Sequence, residues 1–410
     1  MSALRIDLTP LRANRDFRYL WLSGIVTGLG SFATYVALPY QLAKLTGSYV
    51  AVGILGLCEV LPLIVFGLWG GVLADRYDRR TMLLGTECTF VVLVAIAAVN
   101  ASLNEPQVWV IYMVSALLAT VDGLQRPSLD ALLPRLVSAD QLPAASALNS
   151  LRGNIAHVAG PALGGILIAV GGVRSAYAFD IATFVASVVC LLQVAKVPSQ
   201  RAVVSRPVDE LREAVKYVRT RRDLIGTYLT DTIAMVFAFP FALFPFIARE
   251  FDATWSLGFL YSSFAVGSLG ATLTSRWTQR VRHHGRALIF AASVWGVAIA
   301  LSSTVPSVYW VLICFCIAGA ADMVSGLFRS LIWNLTIPDD LRGRMAGIEM
   351  LSYSIGPQIG QVRSSITARF TSVRTSLLIG GVVCAGSVSL LPRAIPELWT
   401  FTSDSEMAPS

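Results

Sequence analysis

The sequence predicts an all-α membrane protein with twelve transmembrane helices in two pseudo-symmetric bundles of six. Composition, the spacing of apolar segments and a repeat between the two halves support this fold class. The 410 residues are 55% hydrophobic and only 14% charged, with a mean hydropathy of +0.65. Soluble proteins average about 25% charged residues, so the composition alone favours a chain that lies in a bilayer.

Twelve apolar segments are each long enough to cross a bilayer, which takes about 20 residues. The predicted spans are residues 18–43, 50–74, 82–103, 107–127, 150–170, 175–195, 225–248, 256–277, 287–305, 307–333, 344–368 and 375–392. The longest polar stretch separates the first six spans from the last six. We therefore predict an N-terminal bundle (1–197), a cytoplasmic linker with a basic amphipathic helix (198–222), a C-terminal bundle (223–392) and a cytoplasmic tail (393–410).

The cations predict the orientation, because Lys and Arg concentrate in cytoplasmic loops. With the N-terminus inside, all but six of the 32 Lys and Arg residues lie on the cytoplasmic side. The exceptions are Lys44, Arg174, Arg249, Arg363, Arg369 and Arg374. This asymmetry predicts that both termini are cytoplasmic. The positions of the cations also account for the net charge of +7. We therefore expect the lipid bilayer as a partner and no nucleic acid.

The two halves of the chain repeat in parallel. Asp122 aligns with Asp322 at an offset of 200, and Gly160-Pro161-x-x-Gly164 aligns with Gly356-Pro357-x-x-Gly360 at an offset of 196. Parallel repeats of several spans are an established architecture of membrane transporters. The repeat therefore predicts that the two bundles share one packing scheme.

The loop between the second and third spans, residues 70–80, reads Gly-Gly-Val-Leu-Ala-Asp-Arg-Tyr-Asp-Arg-Arg. It resembles the Gly-x-x-x-Asp-Arg-x-x-Arg-Arg signature of the major facilitator superfamily, departing at Asp78, where glycine is more usual. The resemblance implies a conformational latch, in which the acid docks on the eleventh helix and the arginines meet acids of the fourth. Its members here would be Gly71, Asp75, Arg76, Arg79, Arg80, Asp122 and Arg126, with Asp130 as a further acid. Alternatively, these charges only anchor helix ends among lipid headgroups.

The fifth span contains Gly160-Pro161-Ala162-Leu163-Gly164-Gly165. Small residues at this spacing let helices approach closely, and proline interrupts the backbone hydrogen bonds. The stretch resembles the Gly-Pro-x-x-Gly-Gly motif of the drug/proton antiporters, which favours export. The alternative is a packing kink that does not determine the direction of transport.

Carboxyl groups inside the spans are candidates for proton coupling, because ionisable residues within a membrane are usually functional. Glu59 is the strongest candidate, since no charged residue lies within one helical turn of it. Asp231 and Asp180 are weaker ones. The alternative for Glu59 is a hydrogen-bonded structural carboxyl. A structural role is as plausible as a functional one for Glu87, His157, Asp322 and Glu349, which lie nearer the cytoplasmic ends.

The superfamily resemblance also implies a central substrate cavity lined by spans one and seven. The candidate lining residues, extended to span eleven, are Phe32, Tyr35, Phe237, Phe241, Tyr353, Gln358 and Arg363. A wide apolar cavity suits bulky amphipathic substrates, although aromatic stripes are more often plain helix packing. An Arg inside a span needs a partner or a water-filled cavity, so Arg363 is also a candidate to attract an anionic substrate.

Nothing in the sequence indicates an enzyme. It contains no Walker-type phosphate loop, nucleophile elbow or zinc-binding His pair. The cysteines lie in apolar runs without metal-ligand spacing. We therefore expect no cofactor and no metal site.

Within the superfamily, the chain resembles the enterobactin-exporter and macrolide-efflux branch of the drug:proton antiporters. The matching stretches are Asn14-Arg15-Asp16-Phe17-Arg18-x-Leu20-Trp21, Leu45-Thr46-Gly47-Ser48, Glu59-x-x-Pro62 and Leu132-Leu133-Pro134-Arg135-Leu136-Val137. The resemblance implies a bacterial inner-membrane multidrug or siderophore exporter, which we expect to be a monomer driven by protons through alternating access. A proton-coupled importer of a small metabolite and a non-transporting sensor or complex subunit remain as alternatives.

Overall fold

The computed structural model of the protein describes residues 7–76, 78–195, 216–338 and 341–402. At residues 68–76, 130–131, 134, 342–344 and 346–353 it describes the backbone and not the side chains. Within these ranges every regular element is a helix. The predicted all-α fold class is confirmed.

Besides the helical residues 216–220, fourteen α-helices follow one another along the described chain. They are α1 (Thr9–Ala13), α2 (Arg15–Thr46), α3 (Tyr49–Arg76), α4 (Arg79–Asn100), α5 (Val108–Leu136), α6 (Leu142–Leu192), α7 (Arg222–Ala238), α8 (Phe244–Glu250), α9 (Ser256–Leu273), α10 (His284–Ser302), α11 (Val308–Thr336), α12 (Arg342–Phe370), α13 (Val373–Ala394) and α14 (Pro396–Thr400). Short 3₁₀ turns cover Phe241–Leu243 and Ser275–Arg280.

Ten helical stretches of the described chain are long and apolar enough to cross a membrane. The twelve predicted spans map onto these ten and one further helix. The 51-residue helix α6 covers predicted spans five and six. It changes direction at Gly172, whose φ of 71° is open to glycine because glycine lacks a Cβ. The further helix is α12, which lies over predicted span eleven and has a more polar sequence.

The chain divides into two compact units. Unit one comprises Met1–Gly47, Cys58–Val203 and Thr254–Ser262. Unit two comprises Ser48–Leu57, Val204–Ala253 and Ser263–Ser410. The beginning of α3 is thus grouped with the second unit, and the beginning of α9 with the first. The domain boundaries drawn from the sequence, with a linker at 198–222, remain a prediction.

Most of that linker lies outside the described residues. Its last part is helical over residues 216–220 and belongs to unit two. Tyr217 and Val218 pack on a buried apolar cluster that includes Leu224 and Trp333. The Tyr217 hydroxyl also donates to the Thr336 carbonyl oxygen at 2.8 Å. The end of the linker therefore packs against other residues of unit two.

In unit one, α2 and α6 pack along much of their length because small residues occupy their contact. A Cβ added to Gly160 would lie 2.6 Å from Phe32 Cβ, and one added to Gly164 would lie 2.6 Å from Ala33 Cα. Both distances are shorter than a normal carbon–carbon contact of about 3.5–4.0 Å. The backbones can therefore approach this closely only where glycine is present.

The beginning of α2 is tied to the beginning of α6 by side chains of the N-terminal Asn-Arg-Asp-Phe-Arg-x-Leu-Trp stretch. Asn14 donates to Gln141 Oε1 at 2.6 Å, and Trp21 Nε1 donates to the Leu148 carbonyl at 2.9 Å. Phe17 is 1% exposed and packs with Ala145 and Leu148. These contacts give that part of the motif a structural role.

In unit two, glycines also allow α12 and α7 to pack closely. A Cβ on Gly356 would lie 3.0 Å from Met235 Cβ, and one on Gly360 would lie 3.0 Å from Phe239 Cβ. In both units, the helix carrying the Gly-Pro-x-x-Gly repeat packs on the first long helix of its own half. The internal repeat therefore corresponds to an equivalent helix–helix contact in each half of the chain.

We predict that Gly164→Ala destabilises the protein by about 1–3 kcal/mol, the usual cost of overpacking a close contact. Gly153→Ala is the matched control, since it lies on the same helix and a Cβ there would meet nothing within 4 Å. Thermal unfolding of both purified variants in one detergent tests this. An unchanged melting temperature for Gly164→Ala would contradict the packing argument.

Candidate functional site

Glu59 lies on α3, half-buried inside unit one. Its Oε1 accepts a short hydrogen bond from the Ser115 hydroxyl of α5. Within the described residues, no Lys or Arg side chain is recorded in contact with this carboxyl. An ionisable group without a countercharge is costly inside a membrane, so Glu59 has the surroundings expected of a group that gains and loses a proton.

Aromatic side chains of unit one adjoin this carboxyl. Tyr35 of α2 and Tyr261 of α9 are close enough to Glu59 to interact with it electrostatically, and their rings are 5.6 Å apart. Phe32 lies 6.2 Å from Tyr35 and 4.5 Å from the His157 ring. The structure thus brings one predicted cavity residue, Tyr35, beside the predicted proton site, and a second, Phe32, beside Tyr35.

Asp180 on α6 is 1% exposed, and both of its carboxyl oxygens are engaged by hydroxyl groups. Thr34 of α2 donates a short hydrogen bond to Oδ2, and Thr183 lies 3.3 Å from Oδ1. Gly30 of α2 faces this group so closely that a Cβ would lie 2.5 Å from Oδ1. Such a satisfied carboxyl suits a link between α2 and α6 better than proton exchange.

Asp231 on α7 forms a buried ion pair with Arg329 of α11. The side chains are 6% and 17% exposed, respectively. The Arg329 guanidinium also lies 5.6 Å from the Trp333 ring centroid, and Asp322 interacts electrostatically with both charged groups. Sequence reasoning missed Arg329 as a partner because the two residues are far apart in the chain.

Arg363 on α12 replaces hydrogen bonds that α7 cannot make. Pro240 has no N–H group, so the carbonyl four residues earlier, that of Val236, loses its helical donor. Arg363 Nε donates to that oxygen at 3.2 Å, and Nη2 donates to the carbonyl of Phe237. A cation is also favoured at the C-terminal end of a helix. The arginine therefore has a structural partner, which sequence reasoning left undetermined.

The other predicted cavity residues of unit two take part in packing. Phe241 lies 4.3 Å from Phe239 and 5.3 Å from Phe264, between ring centroids. Gln358 accepts a hydrogen bond of 2.6 Å from Gln361 Nε2. Phe237 is half-buried. The Tyr353 side chain lies outside the described residues.

The structure describes the side chains of only some members of the predicted latch. The helix α3 extends through Gly71, Asp75 and Arg76, whose side chains lie outside the described residues, as does that of Asp130. Arg79 is buried. Asp122 and Arg126 form an ion pair of 2.7 Å within α5.

Arg80 contacts the end of α6. It donates to the carbonyls of Leu191 and Leu192 at 3.1 and 2.8 Å, and its predicted contact with an acid of α5 remains a prediction. Asp78, the departure from the common loop pattern, is the N-cap of α4 and accepts from Thr81 N at 2.8 Å. An Asp at this position stabilises a helix N-terminus, which explains why aspartate stands here in place of the more usual glycine.

The glycines of the Gly-Pro-x-x-Gly-Gly motif lie on two faces of α6 and contact two different helices of unit one. Gly160 and Gly164 face α2, as described above. Gly165 faces the beginning of α9, where a Cβ would lie 2.6 Å from Gly258 Cα. Pro161 lies within the helix, between these contacts. The motif is therefore a packing element, and a role in the direction of transport remains a prediction.

We predict that Asp231→Asn and Arg329→Gln each destabilise the protein by about 3–5 kcal/mol, because each removes one half of a buried ion pair. The double variant should recover much of that loss. Thermal unfolding of the three purified variants forms a double-mutant cycle. Additive losses would contradict a direct interaction between the two side chains.

We predict that Arg363→Gln costs about 2 kcal/mol, since hydrogen bonds from a charged donor contribute roughly 1.5–3 kcal/mol. Arg363→Lys should keep the charge and recover part of the loss. Arg369→Gln, an exposed position on the same helix, is the control. A substrate-binding role alone would instead leave thermal stability unchanged and weaken binding of an anionic substrate.

Comparison with known proteins identifies the family. The family model described as transmembrane secretion effector matches residues 6–406. Enterobactin exporter EntS of Salmonella typhi is 26% identical over 394 residues, covering 94% of this chain and 94% of that protein. Macrolide efflux protein A of Streptococcus pyogenes is 24% identical over 396 residues, covering 93% of this chain and 97% of that protein.

Solved structures show the same fold at low identity. The nucleoside transporter NupG matches with a TM-score of 0.75 and 13% identity, covering 94% of this chain and 99% of that chain. A bacterial homologue of the iron transporter ferroportin matches with a TM-score of 0.69 and 16% identity, covering 92% and 99%. The predicted superfamily and fold are confirmed. The chain belongs to the transmembrane secretion effector family of the major facilitator superfamily.

Proposed function

We propose that this protein is a proton-coupled exporter of a siderophore or a hydrophobic drug-like compound. Its relatives include an exporter named for enterobactin and a protein named for macrolide efflux, and each aligns with nearly the whole chain. The chain is a transporter of a family whose matched relatives carry compounds outward. Export is the direction that these relatives support.

The observation that carries proton coupling is the environment of Glu59. Its carboxyl has a hydroxyl donor in Ser115, and within the described part of the chain no cation is recorded against it. Such a group is costly when ionised inside a membrane, so gaining or losing a proton changes the energy of the conformation that holds it. A proton can then shift the populations of two transport states by its different affinity for each.

The aromatic groups beside Glu59 support a bulky, partly apolar cargo. Phe32 and Tyr35 offer apolar ring faces, and the phenol groups of Tyr35 and Tyr261 interact electrostatically with the carboxyl. Large ligands are held mainly by apolar and aromatic surfaces with a few polar groups that orient them. In this proposal, protonation of Glu59 from outside accompanies release of the cargo there.

The proposal includes a location and an orientation. A multi-pass protein of this family with bacterial exporter relatives belongs in the cytoplasmic membrane, and the distribution of Lys and Arg supports cytoplasmic termini. We propose a monomer as the transporting unit. The protein would then use the inward proton gradient, because it contains no ATP-binding sequence.

The test measures proton movement in everted membrane vesicles with a pH-sensitive dye while siderophores and macrolides are added singly. We predict that at least one compound collapses the pH gradient with the wild type and that the response falls to background with Glu59→Gln. Glu105→Gln, at an exposed loop position, is the control and should behave as the wild type.

Other outcomes would contradict parts of the proposal. A response that survives Glu59→Gln would place the coupling proton elsewhere, and Asp231→Asn would then be compared. A labelled compound that moves out of everted vesicles, whose lumen corresponds to the cell exterior, would indicate an importer. A lack of substrate-linked proton movement across the panel would favour the sensor or complex subunit.

A further inference from the structure

A second carboxyl group in unit one is incompletely satisfied. Glu87 on α4 is 5% exposed, and its Oε1 accepts a hydrogen bond of 3.0 Å from Gln125 Nε2 of α5. Its Oε2 has no donor at hydrogen-bonding geometry among the described residues, although the Ser187 hydroxyl of α6 lies near the carboxyl. Burying a polar atom without a partner is costly. Asp180, in contrast, has a hydroxyl group near each oxygen.

A polar cavity of about 140 Å³ adjoins Glu87 inside unit one. Four helices enclose it, α2, α4, α5 and α6, and its polar lining consists of Ser23, Thr27, Ser31, Glu87, Asp122, Gln125 and Arg152. This volume has room for several water molecules. Drug-sized ligands occupy roughly 300–1,000 Å³, so a siderophore or macrolide does not fit. The cavity suits water and protons.

The cavity reaches the surface of the unit at an ion pair. Asp122 lines it and pairs with Arg126, with side-chain exposures of 38% and 51%, respectively. Exposed ion pairs lie in water and not in lipid, because charge in hydrocarbon is costly. A neighbouring cavity of about 130 Å³ is lined by Arg126 and Arg152. The cavity beside Glu87 therefore adjoins an ion pair that is exposed on the surface of the unit.

Charged and polar groups of neighbouring helices surround Glu87. Arg152 of α6 and Asp122 of α5 line the same cavity, and Asp180 of α6 interacts electrostatically with Glu87 and repels its ionised form. From α2, Ser23 lines the cavity, and its hydroxyl is 2.6 Å from that of Ser187 on α6. Glu87 therefore faces charges of both signs among the described residues.

We infer that Glu87 is a second proton-binding group of this protein, which exchanges its proton with water through the cavity at Asp122. It is separate from Glu59, which contacts Ser115 on a different part of α5. The link between this proton and transport rests on the proposed function, whereas proton binding itself does not. In the proposed orientation, the cavity opens toward the cytoplasm.

The experiment is infrared difference spectroscopy of the full-length protein in lipid, titrated over about pH 4 to 9, a range that extends beyond the ordinary titration of exposed carboxyls. Subtracting the Glu87→Gln spectra from those of the wild type isolates the carboxylic-acid band of this residue. We expect that band to appear and disappear within the range. A Glu87 signal that stays constant throughout would overturn the inference.

Two further variants keep the test independent of folding and of transport. Gln125→Leu removes the hydrogen bond and keeps the carboxyl, so it should shift the pH midpoint of the same band, and an unchanged midpoint would contradict the assignment. Glu59→Gln should leave the band in place. Substrate-linked proton flux is measured in the same liposomes. A titrating band without any flux would preserve this site and overturn the proposed function, and flux without a titrating band would do the reverse.

Discussion

The structure depends on one constraint, which is that a polar group inside a bilayer must find its partner within the protein. Arg363 shows this through Nε and Nη2, while its Nη1 has no partner among the described residues. The interruption of α7 at Pro240 frees two carbonyl groups, and the arginine donates to both. Asp231 and Arg329 satisfy each other as an ion pair. Both arrangements give structural contacts to residues that the sequence singled out as functional candidates, and their roles in transport remain predictions.

Against this background, the incompletely satisfied groups stand out. Glu59 has a single hydroxyl partner, and one oxygen of Glu87 has none among the described residues. Among the described side chains, neither carboxyl is in an ion pair. Since Asp180 and Asp231 have hydrogen-bond or ion-pair partners, Glu59 and Glu87 are the carboxyls that we propose for proton exchange. Proton coupling in the proposed exporter would use this difference.

Close packing between helices is the second requirement, because lipid supplies no hydrophobic drive for helices to associate. Glycine meets it in both units, through Gly160 and Gly164 against α2 and through Gly356 and Gly360 against α7. Backbones this close leave little freedom for sliding, so each pair of helices is expected to move as a body. Such rigid pairs are compatible with alternating access by rocking of helical units.

The sequence by itself determined the all-helical membrane fold, the positions of the spans, the superfamily and the internal repeat. These follow from hydropathy and local motifs, which are properties of contiguous residues. It also singled out Glu59 as a carboxyl without a nearby charge on its own helix. Only the tertiary structure decided the partners of Asp231, Arg363 and Arg80, and revealed the cavity beside Glu87. These contacts join helices far apart in the chain, and no local pattern records which side chains from distant helices will meet.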